Sequence, residues 1–192
     1  CNDATERRFP LTPEGAEMLV GQGFDVFIEK DAANTIHYSD SRYTAAGAQV
    51  SDRPTTLACD IVIHLAPLAP TDINKMRRGA MLLTLLSLNR LSHETVSALL
   101  SRHIITIAID LIRDSKGNLP FADILAEIDG RAAMARAASL LADSVHGKGI
   151  LLGGVTGITP CEVTVIGSDI AALAAAKSAA GAGALVRMFD ND

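Results

Sequence analysis

The chain has 192 residues, 48% hydrophobic and 20% charged, enough apolar material for a core and the wrong balance for a disordered chain. Lys and Arg number 17 against 22 Asp and Glu, a net charge of -5, and no basic stripe or block occurs, which argues against a nucleic-acid or anionic-membrane partner. Aromatic residues are 4% and Trp is absent, so the core is aliphatic. The apolar stretches Met81–Leu86 and Gly149–Ile158 are too short to span a bilayer. No signal peptide opens the chain, and Cys1, Cys59 and Cys161 are spaced for neither a disulfide framework nor a zinc site. These features predict a soluble, cytoplasmic protein.

Thr12-Pro13-Glu14 reads as a helix start: a capping hydroxyl, Pro at the first helical position and an acid in the first turn. The helix stops at Gly21/Gly23. A strand over Asp25–Glu29 and a short helix over Asp40–Ala46 follow. Ile61–Leu65, closed by Pro67, is a continuous apolar run that suits a strand buried on both faces. Met81–Leu86 and Ile104–Ile109 are two more strands, with helices near Thr71–Arg77 and Ser92–Arg102 between them. Strands separated by helices predict parallel pairing with right-handed crossovers. Phe121–Val145 is the longest helical stretch, Ala-rich and interrupted by Gly130, so another helix can approach it closely. The stretch 147–160 carries five glycines. After it come a strand, Glu162–Ile166, a helix, Ile170–Ala180, and a strand, Leu185–Phe189, ending in Asp190.

This last βαβ unit has the layout of a dinucleotide-binding turn. Gly167-Ser168-Asp169-Ile170-Ala171-Ala172 joins strand to helix, and Asp190 follows the second strand at about the distance expected of a ribose-binding acid. An acid there favours NAD over NADP. Of the three fingerprint glycines only Gly167 is present, however. Asp169 stands where backbone should approach a pyrophosphate, and Ala172 where helix and strand should pack closely. A carboxylate about 5 Å from a phosphate charge costs on the order of 3 kcal/mol at an effective dielectric of 20. The alternative is that Asp169 caps its own helix and fills the anion seat itself.

Arg8-Phe9-Pro10-Leu11-Thr12-Pro13-Glu14-Gly15, Glu127-Ile128-Asp129-Gly130-Arg131, the stretch from His146 to Pro160 and the final βαβ unit resemble, in order, the alanine dehydrogenase/nicotinamide nucleotide transhydrogenase alpha-subunit family. The resemblance implies an α/β fold: a Rossmann-like doubly wound parallel sheet with a second, incomplete Rossmann βαβ unit. The expected domains are a substrate-side domain over 1–120, a linking helix over 121–145 and the first part of an NAD-binding domain over 146–192. Members are longer chains, so the resemblance also implies a strand ahead of Arg8 and further cofactor-domain segments.

For function, the resemblance implies NAD-dependent hydride transfer between the nicotinamide and an amino or 2-oxo acid, and the small residues of the long helix Phe121–Val145 predict a homo-oligomer. Arg8 matches the arginine that binds the substrate carboxylate; a solvated arginine beside Arg7 is the other reading. Gly167, Ser168, Asp169 and Asp190 fall in the cofactor loop and at its acid. The catalytic lysine is missing near Ala66, and the catalytic histidine is replaced by Ser87. His64 offers a substitute at a strand end, against the plainer reading of a histidine satisfied by backbone. His146 belongs to the glycine stretch and orders it. None of His37, His93 and His103 has the spacing of a metal ligand. Two alternatives stay open. One is a transhydrogenase alpha subunit, which needs neither the lysine nor the histidine and works with a membrane partner. The other is a degenerate, non-catalytic nucleotide-binding or assembly module.

Overall fold

The computed structural model describes residues 8–86 and 91–190. The Thr12 hydroxyl accepts the Gly15 N–H at 3.2 Å, and Pro13 opens helix α1 (Pro13–Gly21) as its residue types predict. The chain folds as two units, Cys1–Leu111 and Ile112–Asp192.

The first unit carries two parallel sheets. Strand β1 (Phe27–Glu29) pairs with β2 (Gln49–Ser51), with helix α2 (Asp40–Ala45) between them in the chain. Strands β3 (Ile61–Ile63), β4 (Met81–Thr84) and β5 (Ile105–Ala108) form the other sheet in that order. Helices α3 (Arg53–Leu57), α4 (Pro70–Ile73) and α5 (His93–Ser101) provide the connections. Ser92 caps α5 by accepting the Thr95 N–H at 3.1 Å. Strand β2 and helix α3 have no counterpart in the sequence reading. Gln49-Val50-Ser51 is too short and polar to register as a strand, although Asp52 accepting the Thr55 N–H at 3.0 Å with Pro54 behind it is an ordinary helix start. Two apolar clusters fill the unit. Tyr43, Ala16, Ile28 and Ala33 centre one; Leu57, Ile73, Met76 and Leu82 centre the other.

The run Ile61–Leu65 is not buried on both faces as its composition suggests. Val62 is 5% exposed but Ile61 is 49% exposed, because the two point to opposite faces of this edge strand and the face at Ile61 is uncovered. The β1 ladder to β2 runs through the Val26 carbonyl and the Lys30 N–H, and the β3 ladder to β4 through the Asp60 carbonyl and the His64 N–H. Parallel pairing uses alternate residues, so Phe27 on β1 and Ile61 and Ile63 on β3 turn their peptide groups the other way. These strands, with Phe9 and Leu11, line a mostly apolar cavity of about 570 Å³.

In the second unit, helix α6 (Pro120–Ala142) packs on helix α7 (Ile170–Gly181), and strands β6 (Glu162–Ile166) and β7 (Leu185–Phe189) pair in parallel. Gly130 does not interrupt α6. It is buried against α7, where a Cβ would lie 2.1 Å from the Ala171 carbonyl oxygen.

Candidate functional site

In the first unit, candidate groups gather where β3 and β4 end. This is where parallel α/β sheets place their ligands, because the strand ends leave an opening that loops line. His64 follows β3 directly and is 2% exposed; Thr84 closes β4 and is 1% exposed. Both side chains address one acceptor, the Ala66 carbonyl. The His64 Nδ1 hydrogen-bonds to it, and the Thr84 hydroxyl donates to it at 3.3 Å. A carbonyl only accepts, so Nδ1 carries the ring proton. Nε2 is buried without a hydrogen-bond partner. Burial holds the ring's pKa below its usual value; the Ala66 carbonyl opposes that, Arg53 adds to it and Glu29 works against it.

Arg53 comes from α3 and is clamped between two acids. Its Nη2 and Nε reach Asp72 at 2.7 and 3.0 Å, and its Nη1 reaches Glu29 at 3.3 Å. Burial pushes the Asp72 carboxyl up, but hydrogen bonds from Arg53 and Lys75 outweigh it and the carboxyl lies below its usual range. Just beyond β4, the Asp110 carboxylate accepts the Leu86 N–H at 2.9 Å. None of Thr84, Arg53 or Asp110 was legible as a site residue, though a single Thr inside the apolar run Met81–Leu86 was a signal.

Of the predicted substrate-side residues, Arg8 is exposed. The chain directly after it is fastened: the Tyr43 hydroxyl donates to the Leu11 carbonyl at 2.7 Å, and the Phe9 ring meets Tyr43 edge-on at 6.1 Å. Ala66 lends the site only its carbonyl. Neither Arg8 nor Ala66 lines the 570 Å³ cavity. Ser87 lies outside the described residues.

In the second unit, Gly167 has φ +116°, a region that favours glycine, and this lets the chain turn sharply from β6 into α7. The Gly167 N–H donates to the Phe189 carbonyl at the end of β7, 2.7 Å away. The turn and the residue before Asp190 therefore sit side by side, though far apart in sequence. Asp169 caps α7: its Oδ1 accepts the Ala172 N–H at 2.8 Å. The turn, the helix start and the acid after β7 fit a dinucleotide. Asp169 conflicts with it, because its carboxylate already takes a helix-end donor that a phosphate would use. His146 is exposed and bonds to Asp143, not to the glycine stretch. Its Nδ1 lies 3.2 Å from Asp143, whose other oxygen accepts the Val145 and His146 N–H groups. Among the described residues no three His, Cys, Asp or Glu side chains form a metal-binding group, and no helix is long and apolar enough to cross a membrane.

Parallel strands joined by helices, with a glycine turn between β6 and α7, define a two-unit α/β protein of the Rossmann-like class. The alanine dehydrogenase/PNT N-terminal domain model matches residues 2–129 and the corresponding C-terminal domain model matches residues 133–192. The chain belongs to the alanine dehydrogenase/PNT family. It is similar to the alanine dehydrogenase of Mycolicibacterium smegmatis, 35% identical over 188 residues, covering 96% of this chain and 50% of that protein. The alanine dehydrogenase of Methanococcus maripaludis is 33% identical with the same coverage. A solved L-alanine dehydrogenase superposes with a TM-score of 0.92 at 30% identity, over 99% of this chain and 53% of that one. A transhydrogenase from Sinorhizobium meliloti, at 23% identity, shares the fold with a TM-score of 0.82 over 97% of this chain and 55% of its own. The chain thus spans about half the length of the curated relatives it matches.

Proposed function

We propose that the protein is a cytoplasmic, NAD-dependent oxidoreductase of the alanine dehydrogenase type, acting between the nicotinamide and an amino or 2-oxo acid, with impaired catalysis. The observation that carries the cofactor half is the Gly167 turn, hydrogen-bonded to the end of β7 where Asp190 follows. Asp190 holds the adenosine ribose, and Gly167, Ser168 and Asp169 border the pyrophosphate. Arg8 holds the substrate carboxylate. What impairs the reaction is chemical: neither Ala66 nor Ser87 has a side chain that exchanges protons near neutral pH.

The same deficit favours a second reading, a transhydrogenase alpha subunit that passes hydride to a membrane-bound partner's NADP and needs no proton shuttle. Steady-state NADH production from L-alanine by the full-length protein tests the first reading. The expected result is little or no turnover. Turnover within tenfold of a typical ~10 per second would show that the site is undamaged. NADH binding without alanine oxidation, together with hydride transfer to NADP in the presence of a partner, would select the second reading.

A further inference from the structure

Among the described residues, two buried side-chain atoms lack a hydrogen-bond partner: the Arg102 Nε and the His64 Nε2. The Arg102 guanidinium is engaged elsewhere, since its Nη2 donates to the Met76 carbonyl, and it lies after α5, which leaves no ligand chemistry to assign. His64 is different. It sits at the carboxyl end of β3, its ring is oriented through Nδ1 by the Ala66 carbonyl, and its second nitrogen presents a bare lone pair. Leaving such an acceptor unpaired inside a protein costs about as much as a lost hydrogen bond, so an unpaired one at a ligand-binding strand end points to a donor that arrives with a ligand.

We infer that His64 Nε2 is the acceptor for the protonated amine of an amino-acid ligand, which it engages directly or through one ordered water. The inference rests on the reading of this site as one for amino or 2-oxo acids. The chemistry separates those two forms. An ammonium group brings three donors; the carbonyl of a 2-oxo acid brings none. The Ala66 carbonyl is already taken by His64 and Thr84, and Nε2 is the buried acceptor of this cluster that has no partner. His64 therefore sets specificity, favouring the amine-bearing form over the oxo form.

Calorimetric titration of the full-length protein with L-alanine and with pyruvate tests this, alongside His64→Phe and His64→Gln variants. His64→Phe is expected to weaken alanine roughly ten- to a hundredfold, the scale of one hydrogen bond to a charged group, and to leave pyruvate within threefold. His64→Gln, which restores an acceptor oxygen, is expected to recover part of the alanine affinity. Equal loss for both compounds, or loss for neither, overturns the assignment by making His64 a purely structural residue. Nitrogen NMR of the unmodified protein needs no variant: Nε2 is expected to be unprotonated and to shift with alanine and not with pyruvate. A proton on Nε2 before ligand is added, or equal shifts with both compounds, also overturns it. If neither compound binds the unmodified protein, the amino- or 2-oxo-acid reading itself falls and takes this assignment with it; a failed specificity with intact binding leaves that reading standing.

Discussion

At the residue scale, Asp169 does two things with one carboxylate. It caps α7 through the Ala172 N–H, and it places negative charge where a dinucleotide needs donors. Replacing Asp169 with Gly is expected to tighten NADH binding by roughly tenfold to a hundredfold, from the Coulomb estimate halved for screening near a loop. The same change is expected to cost about 0.5–2 kcal/mol of stability through the lost cap. Fluorescence titration and urea unfolding of the two proteins measure both. Tight NADH binding by the unmodified protein would mean that the carboxylate yields its place. His64 makes a second residue-scale prediction, this one in pH. Its pKa is lowered, first by burial, with Arg53 adding to the effect and the Ala66 carbonyl and Glu29 opposing it. Below about pH 6.5 the unfolded chain takes up a proton that the folded one refuses. Stability is therefore full above that pH and falls as the medium is acidified, by at most about 1.4 kcal/mol per pH unit, until the folded-state pKa is passed. Urea unfolding between about pH 5 and 7.5 should show this slope and lose it in His64→Gln; an unchanged slope would mean the ring is not the source.

At the scale of elements, α6 and α7 form the second unit's main contact, and they meet at Gly130. Alanine normally favours a helix over glycine by about 1 kcal/mol. Here the added methyl would lie 2.1 Å from the Ala171 carbonyl oxygen and 3.0 Å from the Ala174 Cβ, so the helices must part. Gly130→Ala is expected to destabilise the protein by about 1–3 kcal/mol. Gly181, the last residue of α7, has open space around the same position, and Gly181→Ala is expected to be neutral or slightly stabilising. Thermal unfolding of both variants checks the pair, and equal effects would refute the close-approach account. Element identity was legible throughout most of this chain, since apolar runs and capping residues are local. The strand ends were not: Ile61–Leu65 and Met81–Leu86 shorten to Ile61–Ile63 and Met81–Thr84, because beyond them the Leu85 N–H donates to the Leu65 carbonyl, out of the regular register, and composition does not record where a ladder loses its register.

At the scale of the whole molecule, the Ala-rich side of α6 is satisfied within the chain by α7, yet Ile124, Ile128 and Leu140 on the same helix are each at least half exposed. Isolated apolar residues at a surface are ordinary, as Leu140 is; Ile124 and Ile128, one turn apart on one face, make a small contiguous patch that a partner would cover. A homodimer or larger assembly is expected, and light scattering that returned 20.1 kDa, the mass of one chain, would remove that expectation for these residues. The sequence alone determined the fold class, the order of most of its strands and helices and the family, because periodicity, caps and motif order are written locally or in series. Tertiary structure alone decided the rest. It made Gly130 a contact point, exposed Ile61 on a sheet edge, and set His64 and Thr84 on one carbonyl with a ring nitrogen left over. Each of these depends on which groups from distant parts of the chain meet, and burial, hydrogen-bond satisfaction and steric clash are properties of that meeting.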